Sequence, residues 1–378
     1  MKREISRRDF GKFAVAGIPL ASLALTGPEL FAQGKPNSNF AGVHIGVITY
    51  SFNGMAAQDM IPAMVKIGIS NCELMSNDAE SLAGMPAMGR GGFGGGGGGR
   101  APITYPQTLN PDGLTQACET MVQNMANNAA RGAGGPGGGR GRNMTPEQQQ
   151  AIQDAQQKQK DWRASTTTAT WKGLRKQFDD AGINLRILCY NMSTTITDDE
   201  INYAFGMARD LGVQAISSSS TVSVAKRVAP FADKYKMMWG GHGHDNVTDP
   251  EQFAKPETFA EIMSFSKYIG VNLDIGHFTA AGYDAVSYIK ENHDRITNIH
   301  LKDRKKNSDV ANQPGGIMTN NYPWGQGGTP IKEVLLLMKS QHYQFPADIE
   351  YEYECRAAGS PVDEIAKSVA YAKQVLEG

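Results

Sequence analysis

Short apolar runs alternate with amphipathic helical stretches along most of the chain. His44–Phe52 (HIGVITYSF) reads as a strand, and a helical pattern follows from Ala56 to Ile67. Ile69–Met75 is a second strand. After a long interruption, Trp171, Leu174, Phe178 and Ala181 share one helix face, and Gly182 supplies the stop. Ile183–Tyr190 is strand three. Thr197 and Glu200 form a capping-box pair ahead of the periodic Ile201, Ala204, Phe205, Ala208 and Leu211. Val213–Ser219, Lys236–His242, Val271–Ile275, Ile296–Leu301 and Ala347–Tyr353 are strands four to eight. Between them the pattern predicts a short helix ending near Lys234, then helices over Pro256–Ile269 (closed by Gly270), Ala281–Glu291 and Ile331–Ser340. Val362–Leu376, started by Pro361, is the last helix.

Strict strand–helix alternation implies a parallel sheet with crossover helices. Eight such units in about 250 ordered residues are the arithmetic of a closed (β/α)8 TIM barrel. A doubly wound open sheet would want a phosphate loop after its first strand, and none stands there. The expected plan is therefore an export signal over 1–32, a single barrel over 41–378, and a Gly/Gln-rich, largely flexible insert over 76–165 after strand two.

Composition refines this plan at three points. Seventeen of the 43 glycines fall in two tracts, Gly84–Arg100 and Gly132–Arg142, inside the insert, while 144–170 reads as a solvated, Gln-rich helix. The GxGxxG spelling at Gly89–Gly94 follows no strand and opens no helix, so it is not read as a nucleotide loop. Lys2, Arg3, Arg7, Arg8 and Lys12 precede an apolar run over Phe13–Thr26, the layout of a secretory signal, and Ser6–Lys12 resembles a twin-arginine export motif. Gly17 and Pro19 interrupt that run, so the expectation is a periplasmic or exported protein with no stable membrane insertion once the signal is removed. Finally, 37 Lys+Arg against 38 Asp+Glu leave a net charge of −1, which offers nucleic acid no basic surface. Cys72, Cys118, Cys189 and Cys355 form no Cys-x-x-Cys pair. Cys72 and Cys189 lie in apolar strands as small hydrophobes, and one disulfide would suit an oxidising compartment.

In a TIM barrel the chemistry sits at the C-terminal ends of the strands. Strand five ends at His242 and His244. Asp274 and His277 follow strand six, while His300, Lys302 and Asp303 end strand seven. Strand eight carries Glu350 and Glu352. Two imidazoles and two carboxylates converging there predict one divalent metal ion, Mn²⁺, Co²⁺, Fe²⁺, Zn²⁺ or Mg²⁺. Residues two apart share a strand face, so His242 and His244 are alternatives for one ligand position, as are Glu350 and Glu352. His293 and His342, on helix–strand connections, are expected at the surface. Tyr50, Tyr322 and Trp324 could stack on a sugar face or cap the barrel mouth, and the amides of Gly325–Gly328 could cradle an anion or form a plain loop.

The runs GVITYSF, CELM, LDIGHF (273–278), HLKD (300–303) and IEYEYE (349–354) resemble the sugar isomerase/epimerase barrels of the xylose isomerase-like superfamily. That resemblance implies that Asp274, His300 and Glu350 hold the metal, with His277 and Lys302 on substrate oxygens and Glu73 at the pocket rim. Glu352 is a further substrate contact. The family's strand-five ligand is usually a glutamate; here His242, in His242-Gly243-His244, takes its place. Glu350 then remains the one carboxylate base, with His242 or His244 as neutral partner and Lys302 beside them. The function this implies is isomerisation or epimerisation of a small carbohydrate by proton transfer beside a carbonyl. A lyase or hydratase acting on a keto-sugar or keto-glycoside is the alternative, and a carbohydrate-binding protein with a degenerate site is the second. A homo-oligomer is compatible with either enzyme.

Overall fold

The computed structural model describes residues 34–86, 104–130, 145–313 and 315–378. The expected export signal lies outside the described residues, as do 87–103 and 131–144, which hold most of both glycine tracts. Contacts divide the chain after Gly34, and everything below concerns 35–378.

Eight parallel strands close into a barrel: β1 (Val43–Ile48), β2 (Asn71–Met75), β3 (Asn184–Cys189), β4 (Ala215–Ser218), β5 (Met238–His242), β6 (Ile269–Asp274), β7 (Ile296–Leu301) and β8 (Ala347–Ile349). Each strand pairs with the next, and β8 returns to β1 with Ile45 opposite Ala347 and Val47 opposite Ile349. A two-residue strand, Asn39–Phe40, runs antiparallel to β1. The strands are buried on both faces, as a sheet covered by helices requires. Trp171, Leu174 and Phe178 bury the inner face of the helix Thr168–Asp180, and the Thr197–Glu200 box caps Asp198–Leu211 with Thr197 Oγ1 accepting from the Glu200 amide. Among the described residues, no helix is long and apolar enough to cross a membrane.

The boundaries depart from the sequence pattern where tertiary contacts intervene. The helix expected over Pro256–Ile269 stops at Phe265, and Ile269 and Gly270 open β6. A Cβ on Gly270 would lie 2.3 Å from the Arg295 carbonyl oxygen, so this glycine serves a close crossing of chains rather than a helix stop. The helix expected over Ala281–Glu291 begins only at Ala285, capped by Asp284, and runs to Asn292, while a separate short helix, Ile275–Ala280, capped by Asp274, precedes it. Strands one and eight are shorter than their apolar runs. β1 passes into a 3-10 turn at Thr49–Phe52, and Ser51 Oγ there donates to the Ile349 carbonyl and accepts from the Tyr351 amide. One side chain thus replaces the ladder bonds that would have extended β8.

Within the insert, helices cover Ser76–Leu82, Gln116–Ala130 and Pro146–Ser165. Arg163 grips the buried Glu80 with two bonds of 2.6 and 2.8 Å, and Tyr203 donates to the same carboxylate at 3.0 Å. Cys118 is disulfide-bonded to Cys355, beyond β8, and the Thr115 amide donates to the Cys355 carbonyl at 2.8 Å. Cys72 and Cys189 are free and buried.

Candidate metal centre

Alternation along the strands carries one residue set into the barrel interior. His242 ends β5, Asp274 ends β6, His300 lies in β7, and Glu350 follows β8. All four are buried, and each offers a donor atom within 4.8 Å of the other three. His242 Nδ1 is buried without a hydrogen-bond partner. Asp274 Oδ1 accepts from the His277 amide at 2.8 Å, while Oδ2 makes no well-oriented hydrogen bond. A buried polar atom left unpaired is costly, so the orphaned His242 nitrogen beside three further donor groups fits a cation. Two imidazole nitrogens with two carboxylate oxygens suit a borderline divalent ion, whose binding would release the His300 proton.

The groups around this point set its protonation. Burial, reinforced by His300 and His244, pushes His242 well below the usual imidazole range, so it presents a lone pair. His244, its ring 4.9 Å from that of His242, is pushed down to about 4 by burial and then by His277. His300 behaves oppositely. Burial alone would lower it, but the carboxylates of Glu73 and Glu350 hold it well above the usual range, at 2.6 Å from Nε2 and 2.9 Å from Nδ1. Burial likewise opposes ionisation of Glu350, and Lys302 and His300 overcome it. Lys302 Nζ lies 3.1 Å from Asp274, 3.0 Å from Glu350, 2.7 Å from Glu352 and 3.2 Å from His277 Nε2. His277 Nε2 faces Lys302, while its Nδ1 faces both Asp245 Oδ1, at 3.0 Å, and Arg304 Nη1.

Several sequence-selected residues lie elsewhere than expected. Glu73 is not at the rim. It is fully buried in β2 beneath the site, accepting from Ser217, from Asn298 at 2.7 Å and from His300. Trp324 is 2 % exposed with its ring edge-on to Tyr371, so it caps the barrel and offers no open face to a sugar. Lys305 and Arg356 both lie over the Tyr322 ring, at 4.6 and 4.3 Å from its centroid. Tyr50 is 43 % exposed, and burial of its hydroxyl together with Glu352 and Glu350 pushes that group up to about 12. The amides of Gly325 and Gly327 do cradle an anion, the carboxylate of Asp303, at 2.7 and 3.0 Å. A Cβ on Gly327 would lie 2.2 Å from that carboxylate, so no second anion fits there.

Asp245, Arg304 and Asn307 complete the wall behind His277. None has a motif of its own; only proximity to HGH and HLKD points to Asp245 and Arg304. Asn272, 3.1 Å from His300 Nε2, shares the inner face of β6 with Asp274, and period-two reading from Asp274 finds it.

A family model described as a xylose isomerase-like TIM barrel matches residues 221–375, the stretch that carries all four donors. The fold is a xylose isomerase-like TIM barrel. Solved structures share this xylose isomerase-like fold. Protein SMc04130 from Sinorhizobium meliloti superposes with a TM-score of 0.52 at 11% identity, over 89% of this chain and 100% of its own. The probable 3-DHS dehydratase AsbF from Bacillus anthracis gives 0.51 at 12%, over 89% and 99%. The IOLI protein, solved with a zinc atom, gives 0.51 at 12%, over 88% and 99%. At such identities the likeness concerns the fold. No curated protein matches the sequence.

Proposed function

We propose that this protein is a metal-dependent enzyme that moves a proton beside a carbonyl of a small carbohydrate, as an isomerase or epimerase. The observation that carries this reading is the meeting of His242, Asp274, His300 and Glu350, with His242 Nδ1 buried and unpartnered. These four residues would hold one divalent ion. Such an ion supplies polarisation of a substrate carbonyl or hydroxyl, which lowers the cost of removing the adjacent proton. The IOLI protein's zinc on a barrel of this shape supports the same reading.

The chain's own groups divide the remaining work. The Lys302 ammonium is fixed by carboxylates and directed at oxygens that gain negative charge. His277 is oriented by Asp245 to bind a substrate hydroxyl. His244 stays neutral at ordinary pH and accepts a proton on the β5 side, while Glu350 and Glu352 serve the β8 side.

That asymmetry favours a second reading, a lyase or hydratase acting on a keto-sugar or keto-glycoside. A neutral imidazole faces a carboxylate–ammonium pair, so the two sides differ in charge as elimination needs and symmetrical epimerisation does not. We also place the mature protein outside the cytoplasm, on the basic and apolar pattern of Met1–Thr26.

The first experiment is metal analysis of wild type, His300→Ala and Asp274→Ala. About one equivalent of a dication in wild type, lost in both variants, is expected. Solvent deuterium should then enter keto-sugars only with the loaded wild type. Absence of metal in wild type after incubation with Mn²⁺, Co²⁺ or Zn²⁺ would sink both enzymatic readings.

A further inference from the structure

At the barrel end opposite the metal centre, the starts of β3, β4, β5 and β7 and the connection before β8 enclose a cleft of about 400 Å³. That volume is within the usual span of small-molecule sites, about 300–1,000 Å³. Arg186 of β3 lines it and is 6 % exposed. Its Nε and Nη2 reach Gln214 Oε1 at 3.3 and 3.2 Å, and Nη2 also donates to the Gln344 carbonyl at 2.9 Å. Among the described residues, Nη1 has no hydrogen-bond partner and Arg186 makes no ion pair. No Asp or Glu is among the described residues lining the cleft.

Asp348, the carboxylate that acts on this guanidinium, makes no direct ion pair with it; a buried guanidinium left so is costly, and its N–H fork matches the oxygens of an oxyanion. The wall beside it is a stack of aromatic rings. His293 stacks on Tyr343 with centroids 4.9 Å apart at 18°, and Tyr343 on Phe345 at 5.2 Å and 26°. Both Tyr343 and Phe345 line the cleft. A bare inorganic anion would satisfy Arg186 and leave this wall uncovered.

We propose that this cleft is a second ligand site that takes a small organic carboxylate, with its oxygens on Arg186 Nη1 and its apolar body against the Tyr343–Phe345 wall. The site is separate from the metal centre and stands whether or not the enzymatic reading holds. Gln214 is exposed and already touches Arg186, so Gln214→Glu supplies a direct counter-charge without opening the core.

The test is calorimetric titration of the full chain with benzoate, in the presence of a chelator so that the metal centre is silent. Saturable one-to-one binding is expected, weakened at least about tenfold in Gln214→Glu and in Phe345→Ala. Benzyl alcohol, which keeps the ring and lacks the charge, should not bind. Inorganic phosphate should bind at least about tenfold more weakly than benzoate. No saturable benzoate binding, unchanged affinity in Gln214→Glu, or phosphate binding as tightly as benzoate would overturn the proposal.

Discussion

His300 shows how a single side chain is prepared for its task. Glu73 takes its Nε2 proton from below, which fixes the ring and leaves Nδ1 for the centre. Glu73→Gln keeps the volume and removes the charge, so the ring keeps its place but loses basicity. Metal affinity should fall by about 10–100-fold while the melting temperature holds, measured by competition with a chromophoric chelator. Asp303 illustrates the opposite balance. Burial pushes its carboxyl up to about 6, against backbone donors at Gly327, Thr329 and Gly325. Between about pH 4 and 6 the folded protein therefore keeps a proton that the unfolded chain has released. The unfolded state binds fewer protons there, so this group's contribution falls as pH rises through that window and is level above it. Wild type should lose about 2 kcal/mol relative to Asp303→Asn between pH 4 and 6.5, read from paired denaturation curves. A flat difference across that range would contradict the assignment.

The helices and strands explain which parts of the molecule the sequence reveals. Strand ends and ligand positions are legible because a barrel strand repeats every two residues and its last inward residue faces the site. Asp274 and His300 are picked out by that rule, which leaves Glu350 and Glu352 open; the resemblance to the isomerase barrels chooses Glu350. Glu73 obeys the same period but lies too low in its strand to reach the rim, and nothing local in Asn71–Met75 reports that depth. Gly270 and Gly325–Gly328 look like a helix stop and an anion loop, yet each is set by one distant partner, Arg295 or Asp303. Trp324 is similar: whether a ring stacks on ligand or on Tyr371 depends on a helix that arrives later in the chain. The insert helix Pro146–Ser165 has an almost wholly polar sequence, and its attachment rests on Trp162, edge-on to Trp171, and on Arg163 with Glu80, the latter 2 % exposed. Arg163→Met leaves that carboxylate with only Tyr203 and should cost about 2–3 kcal/mol. Lys176→Met, which breaks an exposed pair with Asp180, should cost less than about 0.5 kcal/mol. Equal losses in urea denaturation would show that burial is not what separates them.

At the scale of the whole molecule, the bond between Cys118 and Cys355 spans 237 positions, with β3 to β8 all between its ends. Most of the barrel is thus a covalent ring, while β1, β2 and the final helix, Pro361–Glu377, are joined to it as tails. The consequence concerns cutting. A protease that cleaves once between residues 131 and 144 opens the ring without releasing a fragment. On a gel run without reductant the cut chain should migrate near the position of the whole one, and only reductant should separate two pieces. A scission before residue 118 should instead free the amino-terminal piece under either condition once the chain is denatured. A damaged molecule of this kind would keep all eight staves of its barrel tied together, as a hoop holds a cask after one nail is drawn.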